Sequence, residues 1–195
     1  MKINLLFPTP VFETCDDADF CNRKLLQDAC LEISRRKEVI NRTKNSFHRV
    51  NTSHLVSDSL HLNDEFLPLV SFIQKCSKSF LVSLGFPSWT LEITQMWTNV
   101  GEKGNFVYPH THRGEAFMAG VFYVKCDERD GITFHNSQER MPPEVLNTLN
   151  YSTFYYDGME GRLLLFRAET SHSTFPQEGD SRIVISFNLR LKEPV

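Results

Sequence analysis

No apolar run in this sequence is long enough to cross a bilayer. The most apolar terminal stretch, Met1-Lys2-Ile3-Asn4-Leu5-Leu6-Phe7-Pro8, falls far short of the ~18 residues that a spanning helix needs. It is also too short for a secretory signal core, and no small-residue cleavage site follows it. Cysteine is sparse: Cys15, Cys21, Cys30, Cys76 and Cys126 are odd in number and contain no Cys-x-x-Cys pair. That pattern speaks against a disulfide framework and a cysteine-based zinc site, and fits reduced thiols in a cytoplasmic protein. An excess of charge of either sign is lacking too. The formal net charge is −3, and the basic residues are scattered apart from Arg35-Arg36-Lys37 at an expected helix end. Nothing here is an electrostatic footprint for nucleic acid or an anionic membrane, so neither is an expected partner. Internal repeats and low-complexity segments are absent as well.

What remains is a chain of 195 residues with sixteen phenylalanines. This is enough to close one domain around an aromatic-rich core. The pattern divides it into a helical N-terminal layer, residues 1–87, and a β-rich core, residues 88–195. Residues 2–7 read as a first strand stopped by Pro8 and Pro10. Asp16 or Asp17 offers an N-cap for a helix carrying Leu25, Leu26, Ala29, Cys30 and Ile33, and the polar stretch 35–44 ends it. Residues 46–57 fit strand or loop. His48, His54 and His61 lack metal-ligand spacing and read as structural or surface residues. The second helix is clearer. Asn63 caps it, Phe66, Leu69, Val70, Ile73, Cys76, Phe80, Leu81 and Leu84 form its stripe, and Gly85 stops it.

Beyond Trp89 the period changes to two. Residues 90–100 alternate, with Leu91, Ile93, Gln95, Trp97 and Asn99 expected on one face. Further strands are expected over 116–126, 131–134, 162–167 and 182–191. Between them, residues 136–157 are polar, hold Tyr151, Phe154, Tyr155 and Tyr156, and read as an insertion or substrate lid. Short strands preceded by helices argue for an antiparallel sandwich or barrel under a helical layer.

Two stretches carry chemistry. In Tyr108-Pro109-His110-Thr111-His112-Arg113-Gly114-Glu115, an extended backbone turns His110 and His112 to the same side. Neutral imidazole is the commonest ligand for a divalent transition metal. Taken alone, such a pair is more often two ordinary surface histidines. The second stretch is the last strand, where Ile183, Ile185, Phe187, Leu189 and Leu191 alternate with Arg182, Val184, Ser186, Asn188 and Arg190. The turn at 175–180 should place His172 and Arg182 on neighbouring antiparallel strands. A metal and a guanidinium at that separation can hold a dicarboxylate at both ends. His135 reads as a surface histidine near the rim.

In order and spacing, Trp97-Thr98-Asn99, His110-Thr111-His112, Gly120-Val121-Phe122-Tyr123-Val124, Gly161-Arg162-Leu163-Leu164-Leu165-Phe166 leading to Ser171-His172, and Arg182 through Ser186-Phe187-Asn188 resemble one family. It is the Fe(II)- and 2-oxoglutarate-dependent oxygenases, in the branch related to prolyl hydroxylases that carries His-x-His. The resemblance covers roughly residues 90–190. It implies a double-stranded β-helix core of jelly-roll, cupin-like form. It implies Fe(II) on His110, His112 and His172, with 2-oxoglutarate as cosubstrate on Arg182, and Asn99, Ser186 and Asn188 as further cosubstrate contacts. It also implies a hydroxylase that uses dioxygen and couples decarboxylation of 2-oxoglutarate to oxidation of a small-molecule or peptidyl substrate. Most relatives have a carboxylate where His112 stands, which makes Glu115 a reserve ligand, and many have a hydroxyl residue where Val184 stands. Two other readings fit parts of the pattern. One is a cupin-like three-histidine dioxygenase without 2-oxoglutarate, and the other is a jelly-roll binding module without chemistry. The sequence says nothing about oligomeric state.

Overall fold

The computed structural model describes residues 8–44, 49–112, 114–136 and 152–194. The strand expected over 2–7, His48 and Tyr151 lie outside the described residues.

Strand β1, Val11–Cys15, starts directly after Pro10 and is followed by α1, Arg23–Ser34. The cap of α1 is Asn22, whose side chain accepts from the Leu25 N–H, and not Asp16 or Asp17. Asp16 instead takes the N–H groups of Phe20 and Cys21 at 2.9 and 2.8 Å, closing the preceding loop. Residues 35–44 do more than end this helix, because α2 forms over Lys37–Lys44. Its one buried side chain, Val39, anchors it, and Arg42 and Lys44 sit in the last turn where the dipole favours cations. A 3₁₀ turn, Asp64–Phe66, then leads into α3, Leu67–Ser83. Asn63 precedes this turn without a side-chain cap bond, so the α-helix begins later than its sequence signal suggests. Phe66, Leu69, Ile73, Cys76, Phe80 and Leu81 are buried as expected, and Gly85 leaves the helix with φ +85°.

The β region forms two antiparallel sheets. In the larger, the short β2 (Asn51–Thr52), β3 (Thr90–Gly101), β4 (Met118–Lys125), β7 (Arg162–Arg167) and β9 (Arg182–Lys192) join β1 in the order β1-β7-β4-β9-β3-β2. The smaller holds β6 (Thr153–Tyr156), β5 (Ile132–His135) and β8 (His172–Ser173), in that order. One apolar layer lies between the helices and the larger sheet, joining Leu26, Ile73 and Phe80 to Leu163, Leu165, Ile185 and Phe187. The other lies between the sheets, where Val121, Tyr123, Leu164, Phe166 and Val184 meet Ile132 and Phe134. Strand β7 feeds both layers by alternation, which is why Leu163-Leu164-Leu165-Phe166 is apolar without a break.

Three expectations change here. First, β3 carries an irregularity between Ile93 and Gln95 in its pairing with β9. One extra residue reverses the facing of everything beyond it. Leu91, Ile93 and Met96 therefore pack toward the helices, while Gln95, Trp97 and Asn99 look into the space between the sheets. The single face expected for Leu91 through Asn99 is thus two faces joined at Thr94. Second, part of the expected lid is a strand, because Phe154, Tyr155 and Tyr156 belong to β6 and pair with β5. Residues 137–151 lie outside the described residues. Third, His172 and Arg182 are not on neighbouring strands. β8 pairs with β5 in the smaller sheet and β9 lies in the larger, so the two side chains approach one space from opposite walls.

All five cysteines are free. Burial raises the thiols, Cys30 and Cys126 to about 12, so both stay protonated at neutral pH.

Candidate metal centre and its cavity

His110 forms an isolated antiparallel bridge with His172, each N–H donating to the other's carbonyl at 3.0 Å. His112 is held by its own N–H, which donates to the Ala168 carbonyl at 2.8 Å. This backbone pairing extends the smaller sheet by one lane and brings the three imidazoles together. Ring centroids are 4.3 Å apart for His110 and His172, 5.1 Å for His112 and His172, and 5.5 Å for His110 and His112. One ligand atom from each ring lies within 4.8 Å of the other two.

The outward nitrogens settle what the inward ones can do. Nδ1 of His110 faces the Tyr108 carbonyl at 2.9 Å, and Nδ1 of His172 faces the Thr170 carbonyl at 2.9 Å. Carbonyl oxygen only accepts, so both imidazoles carry their proton on Nδ1 and keep the ring lone pair on Nε2. His112 Nδ1 lies 2.6 Å from Asn188 Oδ1, and its Nε2 sits 3.3 Å from His172 Nε2. Two lone pairs directed at each other over that distance repel unless a cation lies between them. Cis ligands at ~2.1 Å from one metal would be about 3 Å apart, so the donor set fits a divalent metal.

Burial disfavours charge on all three rings. It lowers His112 to about 4, with the neighbouring His110 adding to the effect and the Asn188 hydrogen bond opposing it. His110 is lowered and His172 lowered well below the usual value, in both cases chiefly by burial. The rings are therefore neutral, the form that ligates. Phe166 and Phe134 stand behind His172 with centroids at 4.8 and 6.1 Å, a wall that keeps this side apolar.

The triad opens into a cavity of about 360 Å³ between the sheets. Its lining includes Asn99, Arg182, Ser186 and Asn188, so the structure gathers these four residues and the three histidines around one space. Asn99 Nδ2 donates to Ser186 Oγ at 3.0 Å. Arg182 is only 7% exposed and donates from Nε to the Asp130 carbonyl at 2.7 Å. Among the described residues no carboxylate oxygen lies within 4.0 Å of its nitrogens. Asp130 Oδ1 accepts from the N–H groups of Glu178 and Gly179, while its buried Oδ2 has no hydrogen-bond partner among the described residues. The reserve ligand is overturned: Glu115 is exposed and pairs with Arg190 at 2.8 Å, because an unshielded carboxylate there finds a surface cation and not the interior. No carboxylate lines the cavity among the described residues.

Sequence reasoning missed several residues. Tyr123 reads as one apolar residue among many in β4, yet its buried hydroxyl has no hydrogen-bond partner among the described residues and its ring lies 5.5 Å from the Arg182 guanidinium carbon. His54, taken as structural or surface, lines the cavity and packs on Trp97 at 4.5 Å, which in turn faces His112 at 5.9 Å. Arg42 lines the same space and donates from Nε to the His54 carbonyl. Neither showed a spacing signal, since both reach the cavity through the helical layer. His135, expected at the surface, is half-buried and bonds Ser173 Oγ at 2.8 Å.

Residues 95–188 match the model of a family described as "Putative 2OG-Fe(II) oxygenase". No curated protein sequence matches the chain. Among solved structures, the viral collagen prolyl hydroxylase from Paramecium Bursaria Chlorella virus-1, in a 2OG complex, superposes with TM-score 0.60 at 14% identity over 92% of this chain and 95% of that one. A Pseudomonas putida prolyl-4-hydroxylase gives 0.61 at 11% identity over 93% and 92%. HygX from Streptomyces hygroscopicus, with nickel and 2-oxoglutarate bound, gives 0.55 at 12% identity over 96% and 83%. At such identities these likenesses speak for the fold, the double-stranded β-helix.

Proposed function

We propose that His110, His112 and His172 hold the Fe(II) of an oxygenase, in a chain whose residues 95–188 match the 2OG-Fe(II) oxygenase family model. The cofactors of that family are Fe(II), 2-oxoglutarate and dioxygen, and its chemistry is oxidoreduction. The observation that carries the residue assignment is the convergence of three neutral imidazoles whose outward nitrogens are already committed.

Arg182 is read as the seat of the distal carboxylate of 2-oxoglutarate. A buried guanidinium that pairs with no carboxylate within 4.0 Å among the described residues is costly until an anion reaches it. Its planar fork suits a carboxylate bidentately. The buried Tyr123 hydroxyl beside the guanidinium offers one more donor to the same anion. Asn99 and Ser186, bonded to each other, line the path between this seat and the metal. His110, His112 and His172 would hold the metal and Arg182 the cosubstrate. Together with dioxygen these groups would supply an oxidant at the expense of 2-oxoglutarate, which would be converted to succinate and carbon dioxide. The chain's own part is to hold the keto acid at both ends, keep three rings neutral, and exclude water with Phe134, Phe166 and Trp97. A small molecule or a peptidyl group fits as the substrate class, and Arg42, Thr52, His54 and Leu55 line the same cavity as the triad.

Succinate formation from 2-oxoglutarate with added Fe(II) tests this reading, together with calorimetric titration of the keto acid into the anaerobic, metal-loaded protein. Metal uptake without 2-oxoglutarate binding would favour the cupin-like alternative, and no metal uptake would favour a binding module.

A further inference from the structure

The three histidines are not held in the same way. His110 and His172 give their Nδ1 protons to backbone carbonyls, which no side-chain substitution can reverse. His112 rests on side chains. Its Nδ1 meets Asn188 Oδ1 at 2.6 Å, Asn188 Nδ2 donates to Gln95 Oε1 at 2.9 Å, and Gln95 Nε2 donates to Asp58 Oδ2 at 2.9 Å.

The direction of this relay is fixed at its far end. An ionised carboxylate only accepts. Facing Asp58, Gln95 must present its NH2 group and therefore turns its oxygen to Asn188. Asn188 must then present NH2 to Gln95 and oxygen to the imidazole. His112 must carry its proton on Nδ1, leaving the Nε2 lone pair directed at the point shared with His172. With both amides reversed, an NH2 group would face Nδ1. The ring proton would then move to Nε2, where it would block a metal and point at His172. The bulge at Thr94 is what makes the relay possible, since without it Gln95 would face the helices.

We propose that Asp58 is a positioning residue that selects the ligating tautomer of His112 through Gln95 and Asn188. Asn188 acts on the ring and not on the cosubstrate. The same relay places one negative charge behind a ligand set that is otherwise neutral, in a cavity lined by no carboxylate among the described residues. Outer partners of this kind raise ligand basicity and fix ring orientation, and their loss costs about 10–100-fold in metal affinity. This inference rests on the metal reading above, and the test keeps the two apart.

The test compares wild type with Asp58→Asn, Asn188→Asp and the double variant. In Asp58→Asn the relay loses its fixed end. In Asn188→Asp, Gln95 stands between two carboxylates and satisfies only one properly. In the double variant the whole relay runs backwards. The amide introduced at position 58 donates to Gln95, Gln95 donates to the carboxylate at 188, and that carboxylate still accepts from His112. Two readouts are taken on folded protein, verified by circular dichroism: Co(II) affinity by calorimetry with its visible absorption, and the His112 tautomer by 15N-detected NMR of the metal-free chain. Each single variant should bind Co(II) about 10-fold or more weakly, and Asp58→Asn should show the Nε2-protonated form of His112. The double variant should recover affinity to within a few-fold of wild type and restore the Nδ1-protonated form. A double variant no better than the poorer single one, or an unchanged His112 tautomer in Asp58→Asn, overturns the relay. Failure of the metal reading has a separate signature, Co(II) binding that is indifferent to His110→Ala and His172→Ala.

Discussion

Arg182 holds a permanent charge where water can do little for it, and the rest of its surroundings are chosen to leave that charge unspent. Its Nε is occupied by a carbonyl, and the nearest acid is engaged by backbone N–H groups. Arg182→Ala should therefore abolish succinate formation and weaken 2-oxoglutarate by about 100-fold, in line with ~1.5–3 kcal/mol for each charge-assisted bond lost. Co(II) binding on the histidines should persist. Arg182→Lys should keep only a weak remnant, because a point charge does not reproduce the fork. Tight keto-acid binding by the alanine variant, measured by calorimetry, would remove Arg182 from the cosubstrate site. Tyr123→Phe should raise the KM for 2-oxoglutarate about 5–10-fold, since it removes the hydroxyl that lies against the Arg182 guanidinium. An unchanged KM would assign that hydroxyl no role. The histidines and Arg182 were legible in the sequence because spacing and alternation are local properties. Tyr123 was not, because an apolar strand position does not disclose that its hydroxyl ends beside a guanidinium from another strand.

At the scale of elements, β3 shows how one residue redirects a strand. Period-two reading assigned Leu91 to Asn99 a common face, and the residues on either side of Thr94 obey that rule separately. Hydrophobicity alone cannot locate the slip, since Ile93 and Trp97 are both acceptable on a buried face. Deleting Thr94 should remove the extra residue and leave a strictly alternating strand with Gln95, Trp97 and Asn99 still facing the cavity, so Co(II) and 2-oxoglutarate binding should both persist. Loss of both ligands together would contradict the facing described here. The helical layer was the easier part to read. The stripe of α3 was visible at its 3–4-residue spacing, whereas the ends of the helices were decided by local hydrogen bonds such as those of Asn22 and Asp16. Ile73 and Phe80 are 0% and 4% exposed, so replacing either by alanine should cost ~2–5 kcal/mol. Denaturant titration reads that cost directly, and an unchanged midpoint would mean that α3 is not part of the core.

For the molecule as a whole, the three buried imidazoles link stability to pH. Their folded-state values are depressed, so the unfolded chain takes up protons first as the pH drops below the ordinary histidine range of about 6.5. The metal-free protein should accordingly be most stable above that value and lose stability as the pH falls toward about 4, where His112 itself protonates. Thermal melts of the metal-free chain at pH 7, 6 and 5 should show a falling Tm. His112→Asn should flatten the slope, and an equal slope in that variant would detach His112 from it. The pairing of His110 with His172 has another consequence. The segment between the His-x-His pair and His172 is a loop of 60 residues that the β pairing has closed before any ion arrives. In an open chain, closing a loop of that length costs about 4 kcal/mol in the chain-entropy account. The fold thus presents its third ligand at a high effective concentration. A short peptide bearing only the His-x-His pair has no such ligand in waiting and should hold the same ion orders of magnitude more loosely.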